Sequence, residues 1–332
     1  MGIDYKKSGV NIEAGEETVD NIKSVVKSTF NKNVLTGIGH FGAFYQLDLT
    51  GYKNPVLVSS VDGVGTKLKV AIDSGVHDTV GQDLVNHCVN DIAVCGAKPM
   101  YFMDYMAFGK LDTKIATDIV KGFAKACREN NISLIGGETA EMPGLYELKD
   151  YDLSGTIVGI VEKEKIINGS DVKDGDILIG FSSNGLHTNG YSLARKVLFE
   201  EYELKDKPEL LENDILTELL KTHKSYLNLI QTLVNKNKIK AFSHITGGGI
   251  IGNTKRVIPK DCNIIVDWNS WEVPNIFKLI QQTGNISDDE MRKVFNMGIG
   301  LIAIIDPDEL TSLKETVNSI NEFPIVIGKI KS

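Results

Sequence analysis

The sequence predicts two α/β domains in succession, and three observations carry that reading. Apolar stretches of strand length alternate with longer stretches whose apolar residues recur at helical spacing. A polar segment, KEKIINGSDVKDGD (163–176), interrupts that alternation midway, and a new strand begins directly after it. The 332 residues are 42% apolar and 24% charged, a balance that fills two ordinary cores. The expected division is 1–166 and 167–332, the second domain built on a mixed sheet flanked by helices.

In chain order, TVDNIKSVVKSTF (18–30) lines up Val19, Ile22, Val25, Val26 and Phe30 on one helical face. AFYQLDL (43–49) alternates as a strand does, and PVLVSSV (55–61) predicts another. TVGQDLVNHCVNDIAVCG (79–96) predicts a long helix with Leu84, Val85, Cys88 and Ile92 inward and Gly96 closing it. MYFMDYMAFG (100–109) reads as a strand, and DTKIATDIVKGFAKACREN (112–130) as a helix capped by Asp112 or Thr113. Strands ISLIGGETAEMPG and DLSGTIVGIVE end the first half. The second half offers strand ILIGF, helix YSLARKVLF, one long helical stretch over 214–235, and strands IKAFSHI and NIIVDW. Helices near 274–282 and 288–296, strand GIGLIAII, helix PDELTSLKETVNSI and strand PIVIGKI complete it.

A formal charge of -8 excludes a nucleic-acid binder that works through a basic surface. No run approaches the ~18 apolar residues of a membrane span, and the N-terminal stretch carries no apolar signal core. Cys88, Cys95, Cys127 and Cys262 form no CxxC pair and read as thiols of a cytoplasmic protein.

Two stretches match G-x-G-x-x-G: Gly37–Gly42, which runs into a predicted strand and so fails as a dinucleotide fingerprint, and Gly247–Gly252. The latter follows a strand and offers backbone N–H groups as an anion cradle. VDGVGTKLK (61–69) has phosphate-loop composition but not Walker A spacing, since Thr66 precedes Lys67. Its leading carboxylate, Asp62, makes sense beside phosphate if Mg²⁺ sits between them. Asp91, late in a helix where the dipole disfavours an acid, and Glu138, in a glycine turn, are further candidate metal ligands. In FSSNGLHTNGYS, His187 and Asn189 stand among hydroxyls and glycines, a setting for anion binding or acid–base work. His244 reads as orienting the loop after it, while His40, His77 and His223 stand without chemical company in the sequence.

VDGVGTKLK, DLVNHCVNDIAVCGAKP, GGETAEMPG, SNGLHTNGYSLARK, HITGGG and the N-terminal YKKSGVNIEAGEE occur in an order and spacing that resembles the phosphoribosylformylglycinamidine cyclo-ligases, the aminoimidazole ribonucleotide synthetases. The resemblance runs from about Tyr5 to the last residue. It implies that ATP phosphorylates the formyl oxygen of formylglycinamidine ribonucleotide, and that an amidine nitrogen then displaces phosphate to close an imidazole ring. It implies Asp62, Asp91 and Glu138 as Mg²⁺ ligands, Gly63, Gly65, Thr66 and Lys67 as phosphate contacts, and His187 and Asn189, with Lys67, as the reacting groups. Thr246, Gly247, Gly248 and Gly249 would hold a substrate phosphate. The same resemblance implies a homodimer that pairs its N-terminal sheets, and a flap at 5–17. A thiamine monophosphate kinase-like phosphotransferase and a nucleotide-binding regulator without turnover are the alternatives.

Overall fold

The computed structural model describes residues 7–332, so Tyr5 and Lys6 of the expected flap lie outside the described residues. The chain forms two compact units, the first running to Ile92 and including Lys98–Lys163, the second comprising Ala93–Ala97 and Glu164–Ser332.

The first unit contains α1 (Ile12–Lys27), β1 (Pro55–Gly63), α2 (Lys67–Ser74), α3 (Asp78–Ala93), β2 (Lys98–Phe108), α4 (Thr113–Glu129), β3 (Ser133–Glu141) and β4 (Tyr151–Glu162). Its sheet has the order β1-β4-β2-β3, with β2 and β3 parallel and the other pairs antiparallel. One face is covered by helices: Phe102 of β2 meets Phe123 of α4 at 5.9 Å between ring centroids. Helices α3 and α4 cross at Gly81 and Gly122, where an added Cβ would fall 2.3 Å from Ile119 O and 2.2 Å from Asp78 O respectively. Only glycine allows that approach. Asp112 caps α4, its carboxylate accepting from the N–H groups of Lys114 and Ile115. The other sheet face stays open, with Leu57, Val61 and Tyr105 exposed.

Two expectations change here. Segment 43–49 makes a single isolated bridge, Val34↔Tyr45, because no sheet edge receives it and residues 33–35 are its backbone partners. Phe44, Leu47 and Leu49 are consequently exposed. Residues 12–17, expected as a flap, are the first turns of α1, and Glu141 anchors their start by accepting from Asn11 N.

The second unit contains β5 (Ile177–Ser182), α5 (Tyr191–Glu201), α6 (Ile215–Leu219), α7 (Leu227–Lys236), β6 (Ala241–His244), α8 (Gly249–Thr254), β7 (Asn263–Val266), α9 (Asn275–Thr283), α10 (Asp288–Val294), β8 (Ile299–Ile305), α11 (Leu310–Asn318) and β9 (Ile325–Lys331). Its sheet order is β6-β8-β5-β9-β7, and every pairing is antiparallel. That corrects the mixed sheet expected here: β5, β6 and β7 run the same way, but β8 and β9 return between them. Parallel and antiparallel pairs are mixed in the first sheet instead. Strand β8 is buried at every position, which is why IGLIAII is apolar without alternation. The single helix expected over 214–235 is two helices, because 220–226 leaves the helical path and tucks His223 and Tyr226 into the core. Among the described residues no helix is long and apolar enough to cross a membrane.

Candidate active site

In the first unit the polar groups collect where β1 meets α2 and α3. Asp62 is the penultimate residue of β1; its Oδ1 accepts from Gly63 N at 2.7 Å and its Oδ2 pairs with His87 Nε2 at 2.9 Å. Burial raises the Asp62 carboxyl, yet its hydrogen bond to His87, the His87 charge and the Gly63 N–H outweigh burial and the nearby Asp91, so it lies below the usual carboxylate range. Burial disfavours charge on His87, but Asp62, Asp91 and Asp83 together hold its pKa above the ordinary histidine value. Asp91, on α3, accepts from Ser60 Oγ at 3.0 Å. Asp62 and Asp91 thus sense each other across β1 and α3, an oxygen pair of the kind Mg²⁺ takes.

Glu138 is elsewhere. The register Asp62↔Gly155, Gly155↔Asp104, Asp104↔Gly137 crosses the whole sheet. At about 4.8 Å per strand, Glu138 lies roughly 14 Å from Asp62, beyond sharing one ion with it. Glu138 instead lines a cavity of about 1020 Å³ walled by α1, the Gly37–Gly42 loop and strands β2 and β3. Asp104 faces the same cavity, and burial, with a smaller push from Glu138, raises its carboxyl to about 7. Sequence reading missed Asp104, although a lone acid within MYFMDYMAF was a signal. Glu141 is structural, its Oε1 accepting from Leu111 N at 2.8 Å.

Of the expected phosphate contacts, Gly65, at φ 72°, and Thr66 are exposed ahead of α2, and Gly63 is half-buried. Lys67 is not presented with them. It opens α2 with its side chain turned inward, fully buried, and its Nζ lies 2.8 and 2.9 Å from the two Asp83 oxygens. Helix α2 itself was unexpected, and its inward face determines where Lys67 points. A buried pair of this kind costs several kcal/mol if one partner is lost.

In the second unit, the loop after β5 and the loop after β6 come together. Asn189 Oδ1 lies 3.3 Å from where a Cβ on Gly247 would stand. The Thr246–Gly249 turn is wrapped around Asn253, whose Nδ2 donates to the carbonyls of Thr246, Gly247 and Gly249 while its Oδ1 accepts from Thr246 Oγ1. His187, at φ 61°, is fully buried. Its Nε2 accepts from Asn184 N at 2.9 Å and from Lys224 N at 3.5 Å. A backbone N–H can only donate, so Nε2 keeps its lone pair and the ring is neutral with its proton on Nδ1. His187 therefore clamps its loop, and the proton-transfer role expected for it does not match this bond. His223, passed over in the sequence, stacks on His187 with centroids 4.0 Å apart and meets His244 Nε2 at 2.9 Å.

Residues 34–161 match the family model for the AIR synthase related protein N-terminal domain, and residues 173–332 the one for its C-terminal domain. The chain is 50% identical over 333 residues to a phosphoribosylformylglycinamidine cyclo-ligase of Thermodesulfovibrio yellowstonii, covering 99% of this chain and 96% of that one. With the enzyme of that name from Thermoanaerobacter pseudethanolicus it shares 48%, covering 99% and 97%. Among solved structures, a thiamine-monophosphate kinase from Stenotrophomonas maltophilia superposes with a TM-score of 0.70 at 18% identity, over 95% of this chain and 93% of that one. A hydrogenase maturation protein HypE in complex with ATP does so with 0.69 at 17%, over 98% and 88%. These last two likenesses are of fold.

Proposed function

The chain belongs to the AIR synthase related family, and from that membership we propose that it catalyses the ATP-dependent cyclisation of formylglycinamidine ribonucleotide to 5-aminoimidazole ribonucleotide, releasing ADP and phosphate, in de novo purine biosynthesis. The observation that carries this is near-full-length identity of 50% and 48% to curated cyclo-ligases. An amide oxygen leaves poorly; phosphorylation makes it a leaving group, and an amidine nitrogen then closes the ring on the resulting iminophosphate. Such phosphoryl transfer depends on positioning and charge neutralisation.

In this reading Asp62 and Asp91 hold Mg²⁺, whose chemistry is to neutralise the triphosphate, and His87 keeps Asp62 ionised and aimed. Gly63, Gly65 and Thr66 contact phosphate oxygens, while Lys67 supports them through Asp83. The cavity beside Glu138 and the Gly37–Gly42 loop takes the nucleotide. Thr246 and Gly247–Gly249, with Asn189 beside them, receive the substrate phosphate. The open face with Leu57, Val61 and Tyr105, together with the uncovered Phe44, Leu47 and Leu49, is the surface of a homodimer, since so many exposed apolar side chains in one unit mark an interface. Among the described residues none of the four cysteines forms a disulfide, in keeping with the cytoplasm.

The test is to incubate the purified protein with formylglycinamidine ribonucleotide, ATP and Mg²⁺ and to follow the aminoimidazole product. Its formation, stoichiometric with phosphate, is expected. Phosphorylation of thiamine monophosphate, or nucleotide binding without turnover, would replace this reading.

A further inference from the structure

The cavity of the first unit is lined by more acids than bases. Glu16 and Asp20 of α1, Asp104 of β2 and Glu138 and Glu141 of β3 line it, against Lys23 of α1 and His40 of the Gly37–Gly42 loop. Lys23 is taken by Asp20 at 2.6 Å, and Glu141 by the N–H groups of Asn11 and Leu111. Asp104 has neither kind of partner: among the described residues its carboxyl accepts only from its own N–H, and no cation stands beside it. The titrating groups that sense it are Glu138 and, on α4, the Cys127 thiol, which burial and then Asp104 push up. Burial, helped by Glu138, raises the Asp104 carboxyl to about 7, so near neutrality both its forms are populated. Val19 and Ile22 of α1 and Val120 of α4 line the same space. Such a cavity repels phosphate and suits a flat, uncharged group that can both donate and accept. Phosphate has its own place nearby. Asp62 and Asp104 are both in register with Gly155, so they project from one face of the sheet, roughly 10 Å apart at ~4.8 Å per strand. A nucleotide with its phosphates at the Asp62 loop can set its base at Asp104.

We propose that Asp104 selects the base of the bound nucleotide: its carboxyl gives its hydrogen to ring N1 of adenine and accepts from the 6-amino group. A protonated carboxyl is one donor and one acceptor, which matches that edge of the base. A carboxylate only accepts, and it sets a charge against the N1 lone pair. Guanine presents N1–H and a 2-amino group, two donors that the carboxylate takes instead. Ionisation of one side chain therefore turns an adenine site toward guanine. The inference rests on the cyclo-ligase reading only in placing ATP in this cavity.

Calorimetric titration of the full chain with ADP, GDP and 1-deaza-ADP, each with Mg²⁺ at pH 6 and pH 8, is the test. With the carboxyl at about 7 and its proton required, ADP should bind about tenfold more weakly at pH 8 than at pH 6. Asp104→Asn offers a donor and an acceptor at either pH and should lose that dependence. Titration of the phosphates is common to both proteins and cancels in the comparison. Asp104→Leu should bind ADP about tenfold more weakly than the wild type at pH 6. 1-Deaza-ADP, which lacks the N1 acceptor, should bind the wild type no better than ADP binds the Leu variant. GDP should gain on ADP at pH 8 in the wild type alone. Equal pH dependence in the wild type and Asp104→Asn, an unmoved ADP affinity in Asp104→Leu, or no ADP binding at all overturns the proposal. Asp104→Asn keeps the side-chain shape, so the test survives if Asp104→Leu does not fold. Absent ribonucleotide turnover with an ADP affinity that titrates as stated sinks the cyclo-ligase reading and leaves the base assignment standing. Turnover with an ADP affinity indifferent to Asp104 does the reverse.

Discussion

The polar cluster of the first unit and the histidine cluster of the second are built on opposite plans. Around β1 and α3 the groups are charged: Asp62, Asp91 and Asp83 face His87 and Lys67, and Asp62 is about a third exposed. Around the loops after β5 and β6 they are imidazole rings, hydroxyls and amides, and His187 and His223 have no exposed surface. The proposed function has the acidic cluster completed by Mg²⁺ from solution. A cluster of rings and amides is held by its own hydrogen bonds. Under the proposed function, the charged plan would receive Mg²⁺ and the triphosphate, and the ring-and-amide plan would shape the loop that receives the substrate phosphate.

Breaking that contrast should have its largest effect at Lys67. Lys67→Met removes the buried cation that Asp83 faces, with an expected loss of about 3–5 kcal/mol in denaturant unfolding. The double variant Lys67→Met/Asp83→Leu should recover most of it; stability unchanged in the single variant would return Lys67 to the phosphate. Next comes Asp62→Asn, where turnover should fall about 10²–10³-fold with the fold intact by circular dichroism. Asp91→Asn should behave alike, and a fully active variant removes its residue from the proposed metal pair. At His187 the substitution to Ala should cost about 2–3 kcal/mol from the lost ring and the bond to Asn184 N. His187→Gln, which still offers an acceptor, should retain both stability and rate. A Gln variant that folds but is inactive restores the proton-transfer role.

At Asp104 the effect depends on pH. Its folded pKa, about 7, lies above the unfolded value of 3.8, so the native state binds more protons between those values and loses stability as pH rises from about 4 to 7. Below that window the carboxyl is neutral in both states and costs nothing. Asp104→Asn should therefore raise thermal stability at pH 8 and leave it nearly unchanged at pH 4. An equal effect at both pH values would show packing rather than ionisation.

Most helices and strands were legible because apolar spacing records which face is buried, as for α4 and β8. Sheet pairing was not, since βαβ alternation does not reveal that a later strand fills the gap between two earlier ones. The site was legible by residue type and misread by direction. Asp62 and Asp91 do approach each other, but Glu138 sits across the sheet and Lys67 points inward, facts set by strand order and by an unforeseen helix. His223 had no neighbours of interest in the sequence because its partners, His187 and His244, lie 36 and 21 residues away.

Asn253 spends one amide on three carbonyls of the Thr246–Gly249 turn. The ordering entropy of that turn is met during folding, not on ligand encounter. If the proposed function holds, a phosphate reaching this turn finds a receptor already in place, so association there should proceed without waiting for closure.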